Sequence, residues 1–191
     1  MSNLTNPSNS PAFYELPAVS SPNGSSTDSS DKNWYLLAQI KENMTITKPT
    51  LIVTDRTGVD FALLFEDNIN LKELGFRKGY TLAVPNARRT DREGEGKKAV
   101  VRVPASRSGD VKVIPGSLER VLELGVVLEG EGIGRKCAAC GKMEGVFMKC
   151  TGCGIAAYCG KECQVRGWNE MDHKSNCKVL KALQDIVIQV D

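Results

Sequence analysis

The first 136 residues contain neither cysteine nor histidine. Most of the chain therefore has no thiolate nucleophile, no imidazole base and none of the commonest zinc ligands. There is no G-x-S-x-G nucleophile elbow and no G-x4-G-K-[ST] phosphate loop. No apolar run approaches the roughly 20 residues of a membrane helix, so no membrane association is expected. The N-terminus has neither a basic start nor an apolar core, and is not read as a secretory signal. A large charge of either sign is also missing: 25 Lys and Arg against 23 Asp and Glu leave +2. That balance gives no global electrostatic case for nucleic acid.

What the chain does have is concentrated near its C-terminus. All seven cysteines and the one histidine fall in four pairs: Cys137-x2-Cys140, Cys150-x2-Cys153, Cys159-x3-Cys163 and His173-x3-Cys177. Zinc takes four soft or borderline ligands in a tetrahedron. A C-x2-C turn aims two thiolates at one ion, and residues four apart on a helix share a face. Eight ligands make two closed sites, one of four cysteines and one of three cysteines with the histidine. Closed sites are structural, since no position is left for a reacting water. A disulfide framework fits poorly with an odd number of cysteines, metal-like spacing and no secretory signal. Seven thiolates and two Zn2+ ions would take the formal charge from +2 to −1.

The same stretch resembles the MYND zinc finger family. The residues that carry the likeness are CAAC, CTGC, YCGKECQ, a tryptophan and HKSNC. Tyr158, Gln164 and Trp168 also match family positions. The resemblance covers residues 137–177 and implies an interleaved pairing that ligand spacing alone leaves open. Cys137, Cys140, Cys159 and Cys163 would hold one zinc; Cys150, Cys153, His173 and Cys177 would hold the other. It further implies binding of short proline-containing peptides, with Gln164 and Trp168 lining the groove. In one departure, Trp168 stands five residues before His173, two more than is usual, which is expected to shift Trp168 relative to the last helix.

Upstream, residues 1–32 are rich in Ser, Pro and Asn and read as a disordered tail, too poor in apolar groups to offset ordering entropy. Residues 33–128 read as one domain of short strands: 34–40, 50–55, 59–66, 80–85, 99–103 and 111–114. Val59, Phe61, Leu63 and Phe65 alternate onto one face. Residues 67–75 read as a short helix with Ile69, Leu71 and Leu74 inward. Ser117 is placed to cap a helix from Leu118 to about Leu124. Five or six short strands with one helix in their midst suggest a small β-barrel or curled sheet. The run Asp55-x-Thr-Gly58, Gly75-Phe-Arg-Lys-Gly79 and Thr81-Leu-Ala-Val-Pro-Asn-Ala87 looks like the middle of an oligonucleotide/oligosaccharide-binding (OB) fold. Residues 129–136 read as a Gly-rich linker. Residues 178–191 read as an amphipathic helix continuing the last ligand pair. The fold class expected is α+β: tail, OB-like barrel, two-zinc finger and terminal helix, with the finger unfolding separately from the barrel.

Catalysis is not expected, because zinc would occupy every cysteine and the only histidine. The chain is too short for the SET methyltransferase domain that holds some MYND fingers. The function expected is a zinc-dependent interaction adaptor in a reducing intracellular compartment, nucleus or cytoplasm. The alternative is weak single-stranded nucleic-acid binding on the β-domain. For this, Trp34, Tyr35, Phe61 and Tyr80 would stack bases, beside Arg77, Lys78, Arg88, Arg89, Arg92, Lys97, Lys98 and Arg102.

Overall fold

The structure, a computed structural model, describes residues 4–19, 34–94, 96, 98–130 and 134–187. Six strands form where β-branched and aromatic residues cluster: β1 (Tyr35–Asn43), β2 (Thr50–Asp55), β3 (Asp60–Phe65), β4 (Thr81–Pro85), β6 (Val100–Val103) and β7 (Lys112–Ile114). A two-residue strand, β5 (Arg89–Thr90), lies between the strands expected at 80–85 and 99–103. The sheet order is β5-β6-β3-β2-β1-β4-β7. All pairs are antiparallel except β3 with β6. A bulge between Ile40 and Glu42 bends β1, so that its first half pairs with β4 and its second with β2.

The expected closed barrel does not form. The sheet curls, and two short connections cross between its ends: residues 86–88 lead from β4 to β5, and a 3-10 helix (Ala105–Asp110) leads from β6 towards β7. No ladder joins β5 to β7 among the described residues. The reason lies in the end strands, which are only two and three residues long. Side-chain bonds bridge the seam instead. Arg107 donates from Nη2 to the Pro85 carbonyl at 3.0 Å, and Ser108 donates to Asp67.

Alternation along β1 creates two cores. Leu36, Ala38 and Ile40 point into the curl with Leu51, Val53, Leu63 and Phe65. Tyr35 and Leu37 point outward, where a second core forms with Ala83 and Ile114. Two helices cover that outer face: α1 (Leu118–Glu129) and α3 (His173–Val187). Ser117 caps α1, its side chain accepting from Arg120 N at 3.3 Å. Gln39 Oε1 accepts from Leu118 N at 2.9 Å, tying the helix start to β1.

Three further expectations change. Residues 4–19 do not behave as a disordered tail. Leu4 packs beside Gly125 of α1, and Phe13 stacks on Phe61 with centroids 4.2 Å apart. The Phe13 amide donates to buried Asp55 Oδ2 at 2.7 Å. A few apolar anchors and one buried carboxylate order a segment whose average composition is polar; residues 1–3 and 20–33 lie outside the described ones. Residues 67–75 are turns, not a helix. The Asn70 side chain accepts from the amides of Lys72 and Glu73, and Leu74 is exposed while Leu71 is buried. Finally, α1 runs to Glu129 and takes up the first residue of the proposed linker, of which residues 131–133 are not described.

Candidate metal centre

Two knuckles of identical design begin the finger. Each C-x2-C pair is followed by a glycine in the left-handed region: Gly141 at φ 76° and Gly154 at φ 71°. Only a residue without Cβ adopts that turn freely. The turns close through Gly141 N to Cys137 O at 2.9 Å and Gly154 N to Cys150 O at 2.7 Å. A two-stranded ribbon of β8 (Met148–Lys149) and β9 (Ala157–Tyr158) ends in Cys150 on one strand and Cys159 on the other. Ala138 N donates to Ala157 O at 2.7 Å and holds the first knuckle on β9. Cys159 sits two residues ahead of α2 (Lys161–Glu170), whose first turn carries Cys163. His173 opens α3, and Cys177 follows one turn later.

These elements gather two groups: Cys137, Cys140, Cys159 and Cys163, and Cys150, Cys153, His173 and Cys177. In each, the ligand atoms all lie within 4.8 Å of one another. Sulfur separations are 3.6 Å for Cys140–Cys159, 3.5 Å for Cys159–Cys163 and 3.8 Å for Cys150–Cys177. Cys153 Sγ is 3.7 Å from His173 Nε2. Zn–S bonds of about 2.3 Å give tetrahedral edges of about 3.8 Å, whereas a disulfide needs about 2.05 Å. Spacing and donor set both fit zinc, and the pairing is the interleaved one.

Electrostatics explain why these groups need a cation. Burial pushes the Cys137 thiol up, but backbone N–H donation from Cys140, Cys159 and Ala139 reverses this and brings it down to about 6. Burial likewise opposes ionisation of Cys150. The Cys153 amide, the His173 side chain and the Gly152 amide bring it to about 6. Their neighbours are driven the other way. Cys163 rises to about 12, first through its hydrogen bond with Cys159, and Cys177 rises to about 12 through burial and then Cys150. Neither the four thiols of one group nor the three of the other can all ionise together without a metal, and a divalent ion removes that conflict.

The two groups differ in setting. The histidine-containing group is buried throughout, while Cys140 and Cys159 are exposed in the other. The buried group belongs to the outer core, which runs from β1 through α1 to Leu180, Leu183 and Ile186 of α3. Two glycines permit the close fit. A Cβ on Gly152 would lie 2.8 Å from Cys177 Sγ. One on Gly167 would lie 2.5 Å from the Tyr158 ring. Sequence reasoning missed Gly167, although a glycine inside a helical pattern was the available signal.

Gln164 and Trp168 share one face of α2, four residues apart. The Trp168 ring meets His173 edge-on, with centroids 5.7 Å apart and planes at 62°, and the residue keeps 37% of its surface exposed. The two extra residues before His173 form the break between the helices, with Asp172 at φ 56°. The aromatics expected to stack bases are differently placed. Tyr35 and Phe61 are core residues, and Trp34 and Tyr80 are partly buried against the inner core. Among the cations, Arg89 pairs with Asp91 at 2.8 Å and lies over the Tyr14 ring. Lys97 lies outside the described residues.

No helix among the described residues is long and apolar enough to cross a membrane. The comparison with curated proteins returns no match to the chain. A family model does match: residues 137–177, the segment that builds both thiol-rich groups, form a MYND finger, a zinc-binding module of a kind that mediates protein–protein contacts.

Proposed function

We propose that the protein is an interaction adaptor, not a catalyst, whose finger takes a short proline-containing peptide across Gln164 and Trp168. The observation that carries this reading is Trp168. Its indole is braced by a zinc ligand, yet more than a third of its surface remains open. A flat, preorganised aromatic face suits a proline ring, and an extended proline-rich segment loses little entropy on docking. The Gln164 amide, one turn earlier, offers both a donor and an acceptor to the peptide backbone. Seven thiols free for metal call for a reducing compartment, nucleus or cytoplasm.

Trp168→Ala tests the site. The variant is expected to keep two zinc ions while losing peptide binding at least about tenfold, the order of a buried aromatic contact. The indole N–H signals of Trp34 and Trp168 in 15N-labelled protein report where the peptide acts. Movement of the Trp168 signal alone supports the finger. Unimpaired binding by the zinc-loaded variant would remove Trp168 from the site.

A further inference from the structure

The seam of the curled sheet opens into a cleft of about 310 Å³ that the finger does not touch. That volume is at the small end of the roughly 300–1,000 Å³ range of ligand cavities. Its floor is apolar: Val84, Ala87, Val103 and Val111 line it, and each is also part of the inner core. Its mouth is cationic, with Arg88, Arg102 and Arg107 against one acid, Glu66. Arg102 is exposed, and its side chain makes no hydrogen bond or ion pair among the described residues. Arg107 spends Nη2 on the Pro85 carbonyl and faces Asp110 through Nε at 3.6 Å, which leaves Nη1 for another acceptor.

The walls are held rigidly. Asn86 adopts a left-handed conformation, φ 48°. It is locked by a reciprocal pair of bonds with Trp34: Asn86 N to Trp34 O at 2.8 Å and Trp34 N to Asn86 Oδ1 at 3.1 Å. Trp34 Nε1 adds a bond to the Ala87 carbonyl at 3.3 Å. Pro85 and Pro104, also in the lining, have fixed φ angles. A preformed apolar cavity with the open Arg102 guanidinium and Arg107 Nη1 at its mouth is complementary to a molecule that is apolar at one end and anionic at the other.

We infer that this cleft binds a small carboxylic acid with an apolar body, the hydrocarbon part against Val84, Ala87, Val103 and Val111 and the carboxylate at Arg102 and Arg107. The planar guanidinium is suited to a carboxylate, which accepts two parallel hydrogen bonds from it.

The test titrates zinc-loaded, 15N-labelled full-length protein with 4-phenylbutyrate and, separately, with its uncharged amide. The acid is expected to move the amide signals of Ala87, Val103 and Val111 and the Trp34 indole, and to saturate. The amide should act at the same place roughly tenfold more weakly, the cost of one lost charge-assisted contact. Arg102→Gln, on an exposed strand face, should lower acid affinity several-fold and narrow the preference for acid over amide, with Arg107 still in place. Absence of shifts at these positions up to about 10 mM ligand, weaker than any specific site, would make the cleft a packing seam. Equal affinity for acid and amide, or an acid affinity unchanged by Arg102→Gln, would overturn the anion-binding assignment.

Discussion

Single atoms decide how the finger closes. Gly167 lies where helix propensity favours alanine by about 1 kcal/mol, yet its Cβ would meet the buried Tyr158 ring at 2.5 Å. Forcing an extra methyl into a filled interior costs about 1–3 kcal/mol, so the clash outweighs the propensity. Gly167→Ala is expected to lower the melting temperature of the zinc-loaded protein; an unchanged or higher value would mean that α2 does not rest on Tyr158. Thiol chemistry gives a second expectation. Cys163 and Cys177 stay protonated at neutral pH until a metal displaces their protons, because their acidity is pushed to about 12. Zinc uptake therefore releases protons, and affinity rises with pH. Below about pH 6 the two acidic thiols, Cys137 and Cys150, also bind protons in the metal-free finger, so affinity falls more steeply there. Competition with a chromophoric chelator between pH 5 and 8 measures this; a flat profile would exclude thiolate ligation.

Among the elements, the N-terminal segment departs most from its composition. Phe13 is buried against Phe61, and its amide satisfies Asp55. Asp55 is itself buried and also holds Thr57 and Val59 through Oδ1. Arg56 adds a bond to the Thr5 carbonyl at 3.0 Å. Truncating a buried phenylalanine typically costs about 3–5 kcal/mol, so Phe13→Ala should shift the urea midpoint of the β-sheet markedly downward. A midpoint within error of the parent would return residues 4–19 to the status of a loose tail. Composition misleads here because ordering depends on a few anchors at fixed positions, while averages over 32 residues see mainly Ser, Pro and Asn.

The whole molecule is more unified than a barrel, a linker and a finger in series. Residues of β1, β4, β7, α1, the second metal group and α3 share one continuous core. Cys150→Ala should therefore weaken the packing of α1 and α3 on the sheet along with the finger, where the sequence suggests separate unfolding. Stepwise chelation separates the two metal sites. The exposed Cys140–Cys159 side should surrender its zinc first, with little change in circular dichroism. Loss of the buried zinc should coincide with cooperative unfolding, since structural zinc contributes on the order of 10 kcal/mol or more to such modules. Simultaneous loss of both ions, or early unfolding before the second is lost, would contradict the difference in burial.

Much of the finger was legible because its ligands are rare residues at short, regular spacings: a C-x2-C-G turn or an i, i+4 pair is local geometry. The strands at 50–55 and in the Phe61–Phe65 alternation were legible for the same reason, as was the Ser117 cap. The parallel partnership of β3 with β6, the failure of the barrel to close, the cleft left at that seam and the union of finger with sheet were not. Each depends on residues far apart in the chain meeting face to face. Periodicity in one segment reports which face is apolar, but not what covers it. The chain alone determined that two four-ligand groups could form. Tertiary structure decided which ligands share a group, and why one group keeps two exposed cysteines while the other is buried throughout in the core that α3 builds against the sheet.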